Sequence, residues 1–541
     1  LIPIVFLFLQ NKKKMRFDTL SLSASALILL LSSQFSQAYI IPPHAPGLVA
    51  RAEPLANSTF ITCLKPLGAK VLKRNTSDFE KNRYAFDLRY TYEPEVVVMA
   101  SSAADVQVAV KCAKASNVPV APRSGGHSFE GYSIGGEDGS LVLDLTGLNS
   151  VAVTGGSGGS GSDPRAKVGS GTRLGPLYLA LFKQGGWTLN AGTCPSVGVG
   201  GHTLGGGFGL LSRKHGLLID SLLEIELVNA DGELITVSAF DNPDLFYALR
   251  GAGGGSYGVV TSFTFKPIKP SAKATSFTYN WPLSQASKVL KAYVDYQSTA
   301  SRDVGVEMNV GADGLMMYGI FQGPKSAQAA ALAPFLTAAG KPSSSDVREG
   351  RHIDGQLRFA YIYKDPKDIN ALGLTGSYKP GDSRYTKGKS LVYPSALKSS
   401  TIELLKKWGG MTPAGGTASY IIVDLWGGAV QDHPVDETAF IHRNAHTVFE
   451  FVSEWDENPD AEPGKPDCAA CLKWMNDMYA AFLDDFKKNY GPVRGYQNYI
   501  DKAIPNWQDA YYGSAITRLK QIKSAVDPSN LFRFPQSIPL K

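Results

Sequence analysis

An imidazole and a thiol, His127 and Cys194, each stand inside a glycine-rich segment. The first reads Arg123-Ser124-Gly125-Gly126-His127-Ser128-Phe129-Glu130-Gly131-Tyr132-Ser133, and the second Gly192-Thr193-Cys194-Pro195-Ser196-Val197-Gly198-Val199-Gly200-Gly201-His202. Glycine lets a backbone approach a flat ring closely, and a small nucleophile carried on such a backbone can lie against the ring or bond to it. The backbone N–H groups of Ser124 to Ser128 sit in a turn of the kind that cradles a pyrophosphate. Six glycines between positions 198 and 207 are hard to explain by core packing. Residue type and spacing together point to a large planar ligand attached at two positions.

A second glycine string, Gly253-Gly254-Gly255-Ser256-Tyr257-Gly258, matches the letters of a dinucleotide fingerprint. That motif needs a strand before it, a helix after it and an acidic residue about 20 positions on. Here a helix-like stretch, 244–250, comes before and a strand-like one, 259–265, after, and the acidic residue is missing. A Rossmann site is therefore not expected.

The elements that must position the reactive pair can be read from the pattern. Residues 95–100 read as a strand, Ser102-x-x-Asp105 as a capping box opening a helix through Ala115, and Val118-Pro119-Val120 as a second strand, after which His127 falls in a loop. Residues 141–145 form another strand, and 222–229 with 233–237 a hairpin across Ala230-Asp231-Gly232. The Gly/Ser tract at 154–162 has nothing to bury and reads as a surface loop. From about 275 to 486 strands alternate with amphipathic helices, with turn chemistry at Lys379-Pro380-Gly381-Asp382. A helix is expected from 507 to 526.

At 541 residues the chain exceeds the roughly 250–300 at which a single core stops growing, so at least two domains are expected. The net charge of +6 comes from 54 basic and 48 acidic residues spread along the chain, a poor match to a nucleic-acid partner. Met15, Arg16, the apolar run 26–31 and Ser36-Gln37-Ala38 read as an export signal cleaved after Ala38, with translation expected to start at Met15. The alternative, a signal anchor, falls short of the roughly 20 apolar residues that span a bilayer. Five cysteines leave one over, and Cys194 fits that role. Cys468 and Cys471 form a lone Cys-x-x-Cys; with no second pair a metal site is not expected, leaving a local disulfide or two thiols. Asn57 and Asn75 head glycan sequons, consistent with a secreted, extracellular protein.

The segments around His127 and Cys194 resemble the two flavin-attachment motifs of the berberine bridge enzyme-like flavoproteins. Tyr496-Gln497-Asn498-Tyr499-Ile500-Asp501 and the run from Asp527 to Ile538 resemble that family's closing pattern. The resemblance spans nearly all of the chain after the signal and is weak across the middle. It implies an α+β fold: a PCMH-type FAD-binding domain of two subdomains (39–268), an inserted α/β substrate domain over the flavin (269–489), and a final segment (490–541) that returns to the first domain. It implies FAD bonded by His127 at the 8α-methyl carbon and by Cys194 at C6. It places Arg123, Ser124, Gly125, Gly126, Ser128, Val197, Gly198, Gly201, His202, Val260 and Asn498 at the cofactor, and a disulfide between Cys63 and Cys112.

Tyr499 resembles the family's catalytic tyrosine, and Asp424, in Val423-Asp424-Leu425-Trp426-Gly427-Gly428, the carboxylate that assists it. A nearby carboxylate raises a phenol's pKa, so Asp424 is expected to accept the phenol proton rather than to favour the phenolate. A small Val197 resembles members that use oxygen. Tyr420 falls where sugar-oxidising members place a tryptophan, whereas Ile422 and Phe129 each stand where a polar group would meet sugar hydroxyls. The leading expectation is a secreted oxidase of an alcohol or a sugar C1 hydroxyl that passes electrons to O2, yielding hydrogen peroxide, with no stable membrane association. Oxidation or oxidative ring closure of a secondary metabolite is the alternative, and a non-catalytic flavin-loaded wall protein a third reading.

Overall fold

The computed structural model describes residues 59–156, 163–361, 364–374, 385–456 and 468–541. The signal region, Asn57, most of the Gly/Ser tract and the turn at 379–382 lie outside these. Among the described residues the strands form three sheets.

The first sheet holds β1 (Val71–Lys73), β2 (Val96–Met99), β3 (Val120–Arg123) and β4 (Leu141–Asp144), in the order β1-β2-β4-β3. Strands β2, β4 and β3 are parallel. The helix Ala103–Ala115 joins β2 to β3, and the Ser102/Asp105 capping box holds its start as the sequence predicts. Strand β3 begins two residues later than expected, because the Val118 N–H still bonds to Ala113 at the helix end. Cys112 on this helix is disulfide-bonded to Cys63, pinning the start of the described chain to the first sheet.

The second sheet is antiparallel: β5 (Val151–Thr154), β6 (Arg165–Gly169), β7 (Leu222–Val228), β8 (Leu234–Ser238) and β9 (Val259–Phe265), in the order β5-β6-β9-β7-β8. The Gly/Ser tract thus connects two paired strands. The β7–β8 hairpin turns through Gly232, whose φ is +74°.

The third sheet contains β10 (Ala274–Trp281), β11 (Val304–Gly311), β12 (Gly314–Phe321), β13 (Ser344–Gly350), β14 (Tyr385–Tyr393), β15 (Ala418–Leu425) and β16 (Thr447–Trp455), in the order β13-β10-β12-β11-β15-β16-β14. Side chains alternate across a strand. Val306, Met308, Val310, Ile421, Val423, Phe449 and Phe451 accordingly enter one core with the helices Ala286–Tyr296, Lys325–Ala339, Ser399–Gly409 and Ala469–Asn489. The intervening positions are free to face the other way, toward the first two sheets.

The end of the chain returns to those sheets. Tyr512 donates to the Ala252 carbonyl, and Lys523, paired with Asp527, donates to Ser256. The single helix expected over 507–526 is two, Trp507–Tyr512 and Ile516–Val526, because Gly513 takes a φ of +45° between them. Cys468 and Cys471 are joined in a local disulfide, and Cys194 is the free thiol.

Candidate active site

Strand β3 delivers the His127 loop, and two glycines decide where it goes. A Cβ on Gly125 would stand 2.0 Å from the Gly198 amide nitrogen, and one on Gly198 equally close to that of Gly125. The two glycine-rich loops therefore lie backbone against backbone. The Ser124 hydroxyl stitches them further, donating to the Ser170 carbonyl at 2.6 Å and accepting from the Gly200 N–H at 3.2 Å. As a result His127 Nε2 lies 3.0 Å and Cys194 Sγ 3.5 Å from the same Ser196 hydroxyl. Phe86 stacks on the His127 ring at 4.2 Å. Burial, and then the Arg173 charge, lower the His127 pKa to about 3, so the imidazole is neutral with a lone pair available for bonding.

Arg123 does not line this cavity. Its guanidinium is buried, donating to Asp144 at 2.6 Å and to the Tyr84 carbonyl at 3.0 Å, so it anchors the loop. His202 lines the cavity, but its Nε2 accepts from the Gly192 N–H at 3.1 Å and holds the start of the Cys194 loop. Asn498 in turn donates to the His202 carbonyl at 3.0 Å and to Tyr496 Oη at 2.8 Å. Ser128 spends its hydroxyl on the Tyr132 N–H. Gly126, Val197, Gly201 and Val260 complete the wall, with the 253–255 turn beside them.

The cavity measures about 1730 Å³, larger than the roughly 300–1,000 Å³ of a single small-molecule pocket, so it has room for a dinucleotide and a substrate together. Ser133 and Ser170 line it with buried hydroxyls that lack a partner among the described residues. Glycine walls, unpaired hydroxyls and a neutral imidazole next to an exposed thiol fit FAD.

The opposite wall is the free face of the third sheet. Glu307 and Asn309 come from β11, Tyr420, Ile422 and Asp424 from β15, and Glu450, Val452 and Glu454 from β16. Strand register sets Glu307 directly across from Asp424, and Ile422 between Asn309 and Glu450. Tyr499 reaches this wall from the closing segment, held among Phe129 (6.2 Å between ring centres), Phe208 (6.1 Å) and Tyr496 (5.1 Å). Two residues on, buried Asp501 bonds to both Lys387 and Lys389 of β14, and Lys387 also pairs with Glu130 of the His127 loop. One ionic knot thus locks the flavin loop, the substrate sheet and the tyrosine segment in mutual register.

Asp424 shares this wall with two further carboxyls, Glu307 and Glu450. The Tyr499 pKa is held well above 10 by burial first, then by Glu450 and then by Asp424. Burial, with Glu307 and Glu450 alongside, raises Asp424 well above the carboxylate range, and it accepts no hydrogen bond among the described residues. Burial pushes Glu450 up to about 8 and Glu307 up to about 7, the latter accepting from Tyr318. Sequence reasoning missed Glu307 and Glu450, along with Phe86 and Ser196. The available signal was a glutamate at an alternate position of an otherwise apolar strand, as in Val448-Phe449-Glu450-Phe451-Val452.

Fold and site together define an FAD-linked oxidoreductase. The FAD binding domain family matches residues 94–238, and the berberine and berberine like family matches residues 495–539. A xylooligosaccharide oxidase of Thermothelomyces thermophilus is 33% identical over 490 residues, which is 88% of this chain and 93% of that protein. The solved structure of BBE-like 1 from Physcomitrella patens superposes with a TM-score of 0.80 at 35% identity, covering 90% of this chain and 100% of that one. A glucooligosaccharide oxidase from Acremonium strictum, described as carrying 6-S-cysteinyl, 8α-N1-histidyl FAD, superposes with a TM-score of 0.78 at 28% identity over 89% of this chain and 99% of that one. The chain belongs to the berberine bridge enzyme-like family of FAD-linked oxidoreductases.

Proposed function

We propose that this protein is a secreted oligosaccharide oxidase that oxidises the C1 hydroxyl of a sugar, with FAD bonded to both His127 and Cys194 and reoxidised by O2 to give hydrogen peroxide. In this reading, residues 39–268 and 490–541 hold the cofactor and 269–489 the substrate. The observation that carries it is the convergence of His127 and Cys194 on one hydroxyl, across a single cavity from Tyr499 and a polar sheet face. The names of the relatives favour a sugar as donor. So does the register around Ile422: the hydrogen-bonding capacity that this residue lacks is supplied by Asn309 and Glu450, its neighbours on the adjoining strands. Tyr420 on the same face offers a ring for stacking on a pyranose.

Bound FAD supplies the two-electron acceptor that takes hydride from the C1 carbon. The chain does the rest. The aromatic residues around Tyr499 exclude water and fix its phenol, which takes the proton of the substrate hydroxyl as the C–H bond breaks. Val197, small and next to the Cys194 loop, leaves room for oxygen. Disulfides at Cys63–Cys112 and Cys468–Cys471 suit an oxidising compartment, and Asn75 is exposed for glycosylation.

The test is the absorbance spectrum before and after acid precipitation, followed by anaerobic addition of xylo-, cello- and chito-oligosaccharides and of aromatic alcohols. Flavin that stays with the pellet and bleaches with an oligosaccharide is the expected result. Release of the flavin by acid would overturn the double attachment. Bleaching only by aromatic alcohols would transfer the assignment to secondary-metabolite oxidation, the reading that apolar Phe129 and Ile422 favour.

A further inference from the structure

We propose that Ser196 is the positioning residue for both flavin attachments: its hydroxyl holds the His127 imidazole in the tautomer that leaves Nδ1 free to bond the flavin, and it supports the Cys194 sulfur as a thiolate. This rests on the proposed double attachment and names the residue that prepares it.

Ser196 owes its place to the backbone. Cys194-Pro195-Ser196-Val197 is a turn in which the Val197 N–H donates to the Cys194 carbonyl at 3.4 Å, and proline stands at the second position, where its fixed φ fits. Leu174 and Gly175, which open the helix Leu174–Lys183, donate to the Val197 and Pro195 carbonyls at 3.0 Å and 2.9 Å. The chain itself therefore fixes the turn. The hydroxyl so placed lies 3.0 Å from His127 Nε2 and 3.5 Å from Cys194 Sγ, and it has no other hydrogen-bond partner among the described residues.

These contacts select one arrangement of protons. The imidazole is neutral, so it carries a single N–H. Nδ1 has no hydrogen-bond partner among the described residues, whereas Nε2 meets the Ser196 oxygen, and the nitrogen with the acceptor keeps the proton. Nε2–H donates to Ser196, and the Ser196 proton is left to donate to Sγ. Phe86, stacked on the imidazole at 4.2 Å with the planes 16° apart, holds the ring in this orientation. The thiolate is the nucleophilic form of cysteine, and a hydroxyl donating to it makes a charge-assisted bond. Each attachment balances with molecular oxygen as the oxidant. At His127 the Nδ1 lone pair forms the bond to the 8α carbon, a C–H bond there breaks and the Nε2 proton leaves. At Cys194 the thiolate, its proton already lost, forms the bond to C6 and the C–H bond at that carbon breaks. Each event gives two electrons to the ring and two protons to water, and oxygen takes both pairs away as hydrogen peroxide.

The test follows attachment itself and needs no substrate. Full-length protein produced under riboflavin limitation is mixed with FAD in air, and acid-stable flavin is measured over time, with mass spectrometry of the peptides that carry His127 and Cys194. Wild type should gain one flavin joined to both peptides. Ser196→Val and Ser196→Thr give side chains of the same shape that differ in the hydroxyl. S196V should slow both attachments about 10–100-fold, the effect of losing one hydrogen bond to a charged group, while S196T should stay within about threefold of wild type. Equal rates in S196V and S196T, whether fast or slow, would overturn the role, because shape and folding would then account for the result. Release of the wild-type flavin by acid would overturn the double attachment and this role with it, and as a wild-type result it is distinguishable from any difference between the variants.

Discussion

The two walls of the cavity are built by opposite strategies. The flavin wall is local: each reactive side chain arrives inside its own glycine-rich loop, and the loops meet because Gly125 and Gly198 let backbone touch backbone. The substrate wall is distributed, with Glu307, Asp424, Glu450 and Tyr499 coming from four distant parts of the chain and meeting only because β11, β15 and β16 pair in one register. The flavin wall holds half-buried, neutral histidines, His127 and His202. The substrate wall holds buried acids that resist ionising. Covalent attachment needs two nucleophiles in fixed places, whereas proton transfer needs groups whose proton affinities are tuned by one another.

The contrast can be broken on the flavin side first. Gly198→Ala sets a methyl against backbone that cannot swing away, and we expect a loss of about 3 kcal/mol together with loss of bound flavin, read by urea denaturation and by the ratio of flavin to protein absorbance. On the substrate side Tyr499→Phe should leave folding and flavin content intact yet slow anaerobic reduction by about 10²–10⁴-fold; wild-type reduction would remove Tyr499 from the chemistry. Val197→Leu should slow reoxidation by oxygen without altering reduction by substrate, a separation that rapid mixing in the two half-reactions resolves.

The smallest effect is on stability. Glu307 and Glu450 have folded pKa values of about 7 and about 8, above the roughly 4.3 of an unfolded chain. Their contribution is therefore fully present below about pH 4.3 and is lost as pH rises through 7 to 8. Urea midpoints at pH 5.5 and 8.5 should show this loss, and Glu307→Gln should shrink it. Half-buried His202 acts in the other direction: with a folded value of about 4, it favours the fold above pH 6.5 and withdraws that support as the pH falls.

Much of the flavin wall was legible in the sequence. The capping box at Ser102 and Asp105, strand β9, the β7–β8 hairpin and the loop position of His127 depend on neighbours within a few residues, and the structure places them within a residue or two of the expectation. Arg123 begins the loop as the sequence suggests, but a sequence does not reveal that Asp144 and the Tyr84 carbonyl claim its guanidinium. Gly513 was absorbed into a helix that its positive φ divides. Phe86 and Ser196 carry no motif of their own, and only the fold brings them to His127.

What the sequence by itself determined was the pair of nucleophiles, their glycine setting and the presence of a closing tyrosine, since each is encoded within about a dozen consecutive residues. What only the tertiary structure decided was that acids from separate strands gather around that tyrosine. Asp424 and Glu450 both sit at cavity-facing positions of their strands, and nothing local distinguishes them. Their gathering follows from sheet register, where a shift of one residue sends a side chain to the opposite face, and burial makes neighbouring carboxyls compete for protons.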